Sequence, residues 1–226
     1  METYDRQATV DALAGALPYI ELFRGTTFVV KASGSILDVE GALEGLLQQV
    51  AVLVAVGIRV VLVHGGGPQT TVLSKRMGIE PRMVEGRRVT DEATLAASVM
   101  SLNGTVSTAF QAISRKVGLK AVPLSGVSAG LITAHRRPPI ARAVEGRAET
   151  LDYGHVGDID RVDPGALACL LDAGLVPVVS PLSADPEGGL LNINADTVAA
   201  ALAVALRAEK LVLLTPSAGL LRDVSD

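Results

Sequence analysis

Val60-Val61-Leu62-Val63, apolar at every position and followed at once by His64-Gly65-Gly66-Gly67-Pro68, constrains this chain more than any other segment. A strand with one solvated face alternates apolar and polar side chains. One that does not alternate has both faces covered, as in a parallel sheet. Parallel neighbours cannot be joined by a tight turn, so each such strand needs a crossover, usually a helix. The glycines mark the exit from the strand, and Pro68 suits the first position of the helix that follows.

The same order recurs along the chain. Strand-like runs are expected at 26–30, 59–64, 119–124, 175–180 and 210–215. Between them, helices are expected over 38–56, 68–77, 90–117, 163–172 and 196–207. In the first of these, Val39, Leu43, Leu46, Leu47, Val50, Leu53 and Val54 form one stripe, and Gly57 suits the left-handed residue that ends it. Thr90 is expected to cap the long helix, with Asp91 and Glu92 at the positive end of its dipole and Gly104 a weak point. Asp163 and Asp196 are expected to cap the last two helices. Residues 82–89, broken at Glu85-Gly86, predict a hairpin, and 131–160 predict hairpins around a basic, proline-bearing connection at 136–149.

Strand and helix in alternation predict an α/β fold: an open, mostly parallel sheet flanked by helices on both faces. No internal repeat or long linker divides the chain, so residues 1–226 are expected to form one domain. Only 216–226 follow the last strand, which leaves the expectation that a further strand and helix are missing.

Composition excludes several classes. Lys+Arg number 20 against 24 Asp+Glu, a net charge of −4, which is not the electrostatic footprint of a nucleic-acid binder. Aromatic residues are 3% of the chain with no Trp, so there is no stock of rings on which bases could stack. Hydrophobic residues reach 49%, enough for a core and too many for a disordered chain. The single cysteine, Cys169, cannot form an internal disulfide and lies on an apolar helix stretch where a core position is expected. No basic leader precedes an apolar run, and no apolar run is long enough to span a membrane. A soluble, cytoplasmic protein is expected.

Three clusters could carry chemistry. Gly65, Gly66 and Gly67, between a buried strand and a helix start, let backbone approach an anion and offer it unpaired N–H groups. Neither common nucleotide fingerprint is matched. Lys31 ends the first strand and precedes Ala32-Ser33-Gly34-Ser35. Ligands of open α/β sheets sit at the carboxyl ends of strands, where an ammonium could neutralise a phosphoryl group in flight. In Asn192-Ile193-Asn194-Ala195-Asp196, the two asparagines face the same way in an extended chain. Arg88 could grip a carboxylate in bidentate fashion. Taken singly, Lys31, Arg88 and the Asn192–Asp196 run read as surface, loop or cap residues, whereas three glycines in this position favour an anion site over a plain turn. His135 and His155 have no partners at metal-ligand spacing, so no zinc site is expected.

The ordered set resembles the amino acid kinase family. The matching pieces are Phe28-Val29-Val30-Lys31, Val63-His64-Gly65-Gly66-Gly67-Pro68-Gln69, Gly86-Arg87-Arg88-Val89-Thr90-Asp91 and Leu124-Ser125-Gly126. Gly154-His155-Val156-Gly157, Val176-Pro177-Val178-Val179-Ser180-Pro181, Asn192-Ile193-Asn194-Ala195-Asp196 and Ala208-Glu209-Lys210-Leu211 continue it. Within the family the resemblance is to the branch that phosphorylates the side-chain carboxylate of N-acetyl-L-glutamate with ATP and Mg2+ in arginine biosynthesis. It implies that Lys31 stabilises the transferring phosphoryl group and that Asp196 orients the lysines. Gly34, Gly66 and Gly67 would bind phosphate. Gly66, Gly67, Arg88 and Asn192 would hold the acceptor. Residues 9–23 are similar to the extra helix of arginine-inhibited hexameric members, which implies a homo-oligomer, dimer or hexamer, and an arginine effector.

This chain departs from the family pattern at several points. Lys31-Ala32-Ser33-Gly34 stands for Lys-x-Gly-Gly, Ser128 for an aspartate, Ser107 for an asparagine, and Pro216 for the aspartate of Leu-Thr-Asp. Proline offers a nucleotide neither N–H nor carboxylate. These departures, and the expected missing C-terminal part, imply a chain that binds acceptor better than it turns over ATP. Two alternatives stand beside the kinase: an arginine-sensing domain that kept the fold and lost the chemistry, as in acetylglutamate synthases, and a kinase for a carrier-linked aminoadipate or glutamate.

Overall fold

Successive side chains of a strand point to opposite faces, and the two central strands use this to fill two separate cores. Phe28, Val30, Val60 and Leu62 are buried in one, Val29, Val61 and Val63 in the other. The computed structural model describes residues 6–84, 87–144 and 147–215.

In chain order, α1 spans Arg6–Phe23, β1 Thr27–Ala32, α2 Ala42–Ala55, β2 Arg59–His64 and α3 Gly67–Arg76. The short β3, Met83–Val84, and β4, Arg87–Arg88, pair antiparallel. Then come α4, Glu92–Val99, and α5, Ser107–Lys116, joined by a π-helical turn at Met100–Val106. Next are β5, Ala121–Ser125, β6, Ile132–Arg136, β7, Ile140–Val144, β8, Arg147–Leu151, and β9, Gly157–Val162. The chain continues through α6, Gly165–Asp172, β10, Val176–Ser180, β11, Leu182–Ala184, β12, Leu190–Asn192, α7, Ala195–Ala205, and β13, Lys210–Leu214.

The main sheet has the order β13-β1-β2-β10-β5, and every pairing in it is parallel. Leu43, Leu47 and Val50 of α2 and Phe110 of α5 cover one face. Leu167 and Leu171 of α6 and Val198, Ala199 and Leu202 of α7 pack on the other. The expected open parallel sheet with helices on both sides is what the chain forms. A second, mixed sheet, β12-β11-β6-β9, adds residues to the second core and brings Asn192 to the strand ends of the first sheet.

Local departures have local causes. The expected helix over 38–56 begins only at Ala42, because Gly41 takes a left-handed conformation at φ 74°. Gly57, at φ 91°, ends it as expected. The expected helix over 90–117 is two α-helices around the π-helical turn, which contains Gly104. Its cap is Asp91, whose side chain accepts from the Thr94 N–H at 2.8 Å, and not Thr90. Thr90 instead lies buried in a bridge to Gly154. At 136–149, β7 and β8 form an antiparallel pair. Cys169 is exposed and not core: Leu167 and Leu171 face the sheet, and a residue two positions from each lies on the opposite side of the helix.

Candidate active site

Parallel pairing brings the carboxyl ends of β1 and β2 side by side, with Lys31 opposite Val63 and Ala32 opposite His64. Lys31 is 7% exposed, and its Nζ lies 2.8 Å from Oδ1 of Asp196. A buried ammonium costs several kcal/mol unless paired, so this carboxylate is what lets a lysine occupy the position. Asp196 is not the helix cap. Asn194 is, its Oδ1 accepting from the N–H groups of Asp196 at 2.8 Å and Thr197 at 3.2 Å. Relieved of capping, the Asp196 carboxylate stands in the first turn of α7 and reaches Lys31.

The glycine turn begins where the Gly65 N–H donates to the Ala32 carbonyl at 2.9 Å. A Cβ on Gly34 would lie 2.6 Å from the Gly66 Cα, so the loops after β1 and β2 touch backbone to backbone. A Cβ on Gly66 would lie 2.6 Å from Cδ2 of Leu102, in the π-helical turn. Around Gly67 there is open space, with nothing within 4 Å of where a Cβ would stand. α3 starts here, and the first N–H groups of a helix have no partner within it.

His64 supports this turn from behind. Its ring is buried and stacks on Phe110 at 5.3 Å and 27°, and its Nδ1 lies 3.1 Å from the Gly65 carbonyl. A carbonyl only accepts, so Nδ1 carries the proton. Burial pushes the imidazole pKa down to about 4, which keeps the ring neutral at pH 7.

Arg88, at the end of β4, is held by its Nη2, which donates to the Gly67 carbonyl at 3.1 Å and to Thr71 Oγ1 at 2.6 Å. Its Nη1 is buried without a hydrogen-bond partner among the described residues, and burial lowers the guanidinium pKa from its ordinary value. A charged donor left in this state calls for an anion or acceptor. Asn192 ends β12, where its N–H donates to the His155 carbonyl at 2.8 Å and it bridges to Val156.

Lys31, Gly34, Gly66, Gly67, Arg88, Asn192 and Asp196 all line a single cavity of about 500 Å³. Every residue expected at the site is therefore gathered there. Sequence reasoning missed Arg137, Met83, Leu102 and Val156 in the same wall. Arg137 sits in a basic, proline-bearing run that reads as a loop, and its partner Asp158 lies 21 positions on, in β9. Of the departures from the family pattern, Ser128 accepts the Ser125 N–H at 3.0 Å and is absent from the cavity wall. Pro216 lies outside the described residues. His135 pairs with Asp160 at 2.6 Å, and no cluster of three or more His, Cys, Asp or Glu fit to hold a metal occurs among the described residues.

The sheet, its strand-end cleft and the excess of basic groups there define an α/β protein whose cleft is fitted to a small anionic ligand. Residues 26–226 match the model of the amino acid kinase family, and the chain belongs to that family. It is 44% identical over 224 residues to the acetylglutamate kinase of Symbiobacterium thermophilum, covering 98% of this chain and 75% of that one. To the acetylglutamate kinase of Myxococcus xanthus it is 46% identical over 219 residues, covering 95% of this chain and 70% of the other. Among solved structures, N-acetylglutamate synthase from Neisseria gonorrhoeae, complexed with coenzyme A and N-acetyl-glutamate, aligns with a TM-score of 0.76 and 35% identity. That match covers 93% of this chain, which spans about half (46%) of the synthase chain.

Proposed function

We propose that the cleft receives N-acetyl-L-glutamate and directs phosphorylation of its side-chain carboxylate by ATP, the activity of an acetylglutamate kinase in arginine biosynthesis. The observation that carries this reading is the buried Lys31 ammonium, paired with Asp196 beside the open glycine turn. Relatives of that name at 44% and 46% identity support it.

The chemistry suits the residues present. A carboxylate is already ionised at pH 7, so its oxygen can bond to the γ-phosphorus as the bond to ADP breaks, with no proton to remove. The site then needs positioning and positive charge rather than a base, and His64, buried behind the turn, is absent from the cavity wall. Lys31 neutralises charge on the equatorial oxygens of the transferring group. Amides of Gly34, Gly66 and Gly67 cradle the same oxygens, and Gly67 has room for them. Arg88, through its unpartnered Nη1, takes the acceptor's α-carboxylate, and Asn192 its amide end. Asp196 orients Lys31. Mg2+ accompanying the nucleotide would supply further neutralisation of phosphate charge, and no cluster of three or more metal-ligating side chains among the described residues would hold it apart from the nucleotide.

Intact Lys31, Asp196 and glycine turn favour the kinase over an arginine sensor, which would need none of them. The described residues act as one domain, housed in the cytoplasm. Among them no helix is long and apolar enough to cross a membrane. α1 has no buried residue and exposes Leu13 and Leu17 on one side and Tyr19 and Leu22 on another, apolar surface suited to packing in a homo-oligomer. Arginine acts as an effector of that assembly.

The test is to incubate the protein with N-acetyl-L-glutamate and MgATP and trap the acyl phosphate as its hydroxamate, with calorimetry of acetylglutamate binding alongside. Hydroxamate and binding are expected. Arginine binding with neither would replace this reading by the sensor.

A further inference from the structure

Arg137 is the cationic group of the cleft for which the proposed function has no task. It lies just past β6, where its N–H donates to the Val156 carbonyl at 2.8 Å. Its Nε donates to both oxygens of Asp158, at 3.1 and 3.0 Å, and its Nη2 to Oδ1 at 2.5 Å. The guanidinium also lies 5.9 Å from the centroid of the Tyr153 ring. These contacts fix the plane of the fork, and the hydrogen bonds to Asp158 raise its pKa further. A guanidinium has five N–H donors, so the Asp158 clamp leaves others for a ligand. The side chain is only 20% exposed and it lines the cavity.

Its place in the wall says which part of a ligand it meets. Val156, to which Arg137 is bonded, is bridged to Asn192, so both side chains belong to the same stretch of wall. Lys31 and Asp196 come from β1 and α7. Charge points the same way. Lys31, Arg88 and Arg137 line the cavity against one acid, Asp196, which is taken by Lys31. Arg137 is paired with Asp158, which is not part of that wall, so Arg88 is left for the α-carboxylate and Arg137 keeps N–H donors rather than spare charge.

Resting on the acceptor reading above, we propose that Arg137 is a specificity-determining residue that donates to the acyl carbonyl oxygen of the N-acylated acceptor. The Asp158 clamp makes it a selective donor. A fork already balanced by a carboxylate has little net charge to offer a second anion, but it keeps rigid N–H groups for a neutral oxygen. A site built to hydrogen-bond such an oxygen rejects ligands that lack it, because its own donors are then left unpaired.

The experiment is a cycle of two proteins and two ligands read by calorimetry. The ligands are N-acetyl-L-glutamate and 2-propylglutarate of matching configuration, which keeps both carboxylates and the chain length but has no acyl oxygen. Arg137→Met is expected to weaken acetylglutamate about 10-fold or more, and propylglutarate by no more than about 2-fold. Should that variant fold poorly, Arg137→Lys keeps the charge and stem, and a selective loss of about 5-fold is expected because an ammonium cannot be clamped as a fork. Equal losses on both ligands would assign Arg137 a general electrostatic or structural role and overturn the inference, as would no loss at all. If the unmodified protein binds propylglutarate as tightly as acetylglutamate, the acyl oxygen is not read and the inference again fails, while the acceptor site stands. If it binds neither ligand, the acceptor reading itself falls and takes this inference with it.

Discussion

The Lys31 ammonium and the Asp196 carboxylate, 165 positions apart in the chain, meet at 2.8 Å with the lysine almost wholly buried and the aspartate 46% exposed. The asymmetry gives direction to the pair. Asp196 keeps access to water, whereas Lys31 is held in place in the wall of the cleft.

Lys31→Ala should lower turnover of acetylglutamate by on the order of 10²-fold or more, because charge on the transferring group develops most in the transition state. Affinity for acetylglutamate should change little. Steady-state kinetics with parallel calorimetry separates the two, and an unchanged turnover would remove Lys31 from the mechanism.

Arg88→Ala should act the other way, on binding. Hydrogen bonds to charged groups contribute about 1.5–3 kcal/mol, so acetylglutamate affinity should fall on the order of 10- to 100-fold. Titration calorimetry measures it directly, and equal affinity would reject the carboxylate role.

The glycines of the two loops predict unequal tolerance. Gly66→Ala presses on Leu102 Cδ2 and should destabilise by roughly 1–3 kcal/mol as an overpacked site. Leu102→Ala in the same chain should relieve part of that, since the clash is with the end of a flexible side chain. Gly67→Ala meets no neighbour, so its melting temperature should stay near that of the unmodified protein while turnover falls, the added methyl occupying space meant for phosphate. Thermal melts and activity together decide. A Gly67→Ala protein of full activity would exclude that turn from phosphate binding.

His64 predicts a pH dependence of stability. Its pKa is near 6.5 when unfolded and about 4 when folded, so between those values the unfolded chain binds the extra proton. Stability should therefore be independent of this group above pH 6.5 and fall as pH drops from 6.5 to 4. The loss should be about 3 kcal/mol, from a shift of about 2.5 pKa units at 1.36 kcal/mol each. Denaturant titrations at pH 7.5 and 4.5 read it. His64→Phe should flatten the slope in that window, and an unaltered slope would locate the proton elsewhere.

Much of this was legible because both faces of β1 and β2 are buried, which leaves a signal of unbroken apolar runs. Parallel strands must end together, so Lys31 and the glycine turn could be brought to one place from sequence alone. Arg88 and Asn192 could be singled out from the residues, but only the family resemblance gave them a task, since an arginine ending a two-residue strand carries no pattern of its own. Arg137 was illegible. Its meaning depends on Asp158 in a strand paired antiparallel to β6, a register that local sequence does not specify. The helix starts at Asp91 and Asn194 were misjudged by one and two residues, because Thr90 and Asp196 are equally good caps by composition and tertiary contacts decide which is free.

The touching backbones at Gly34 and Gly66 have a consequence for how such a chain can change over time. Gly34 cannot accept even a methyl group unless the loop at Gly66 retreats, and Gly66 is itself closed in by Leu102, so a retreat would disturb both flanks of the cleft. The pair behaves as one heritable unit, so novelty in this protein has to enter through its outer rim and leave the floor alone.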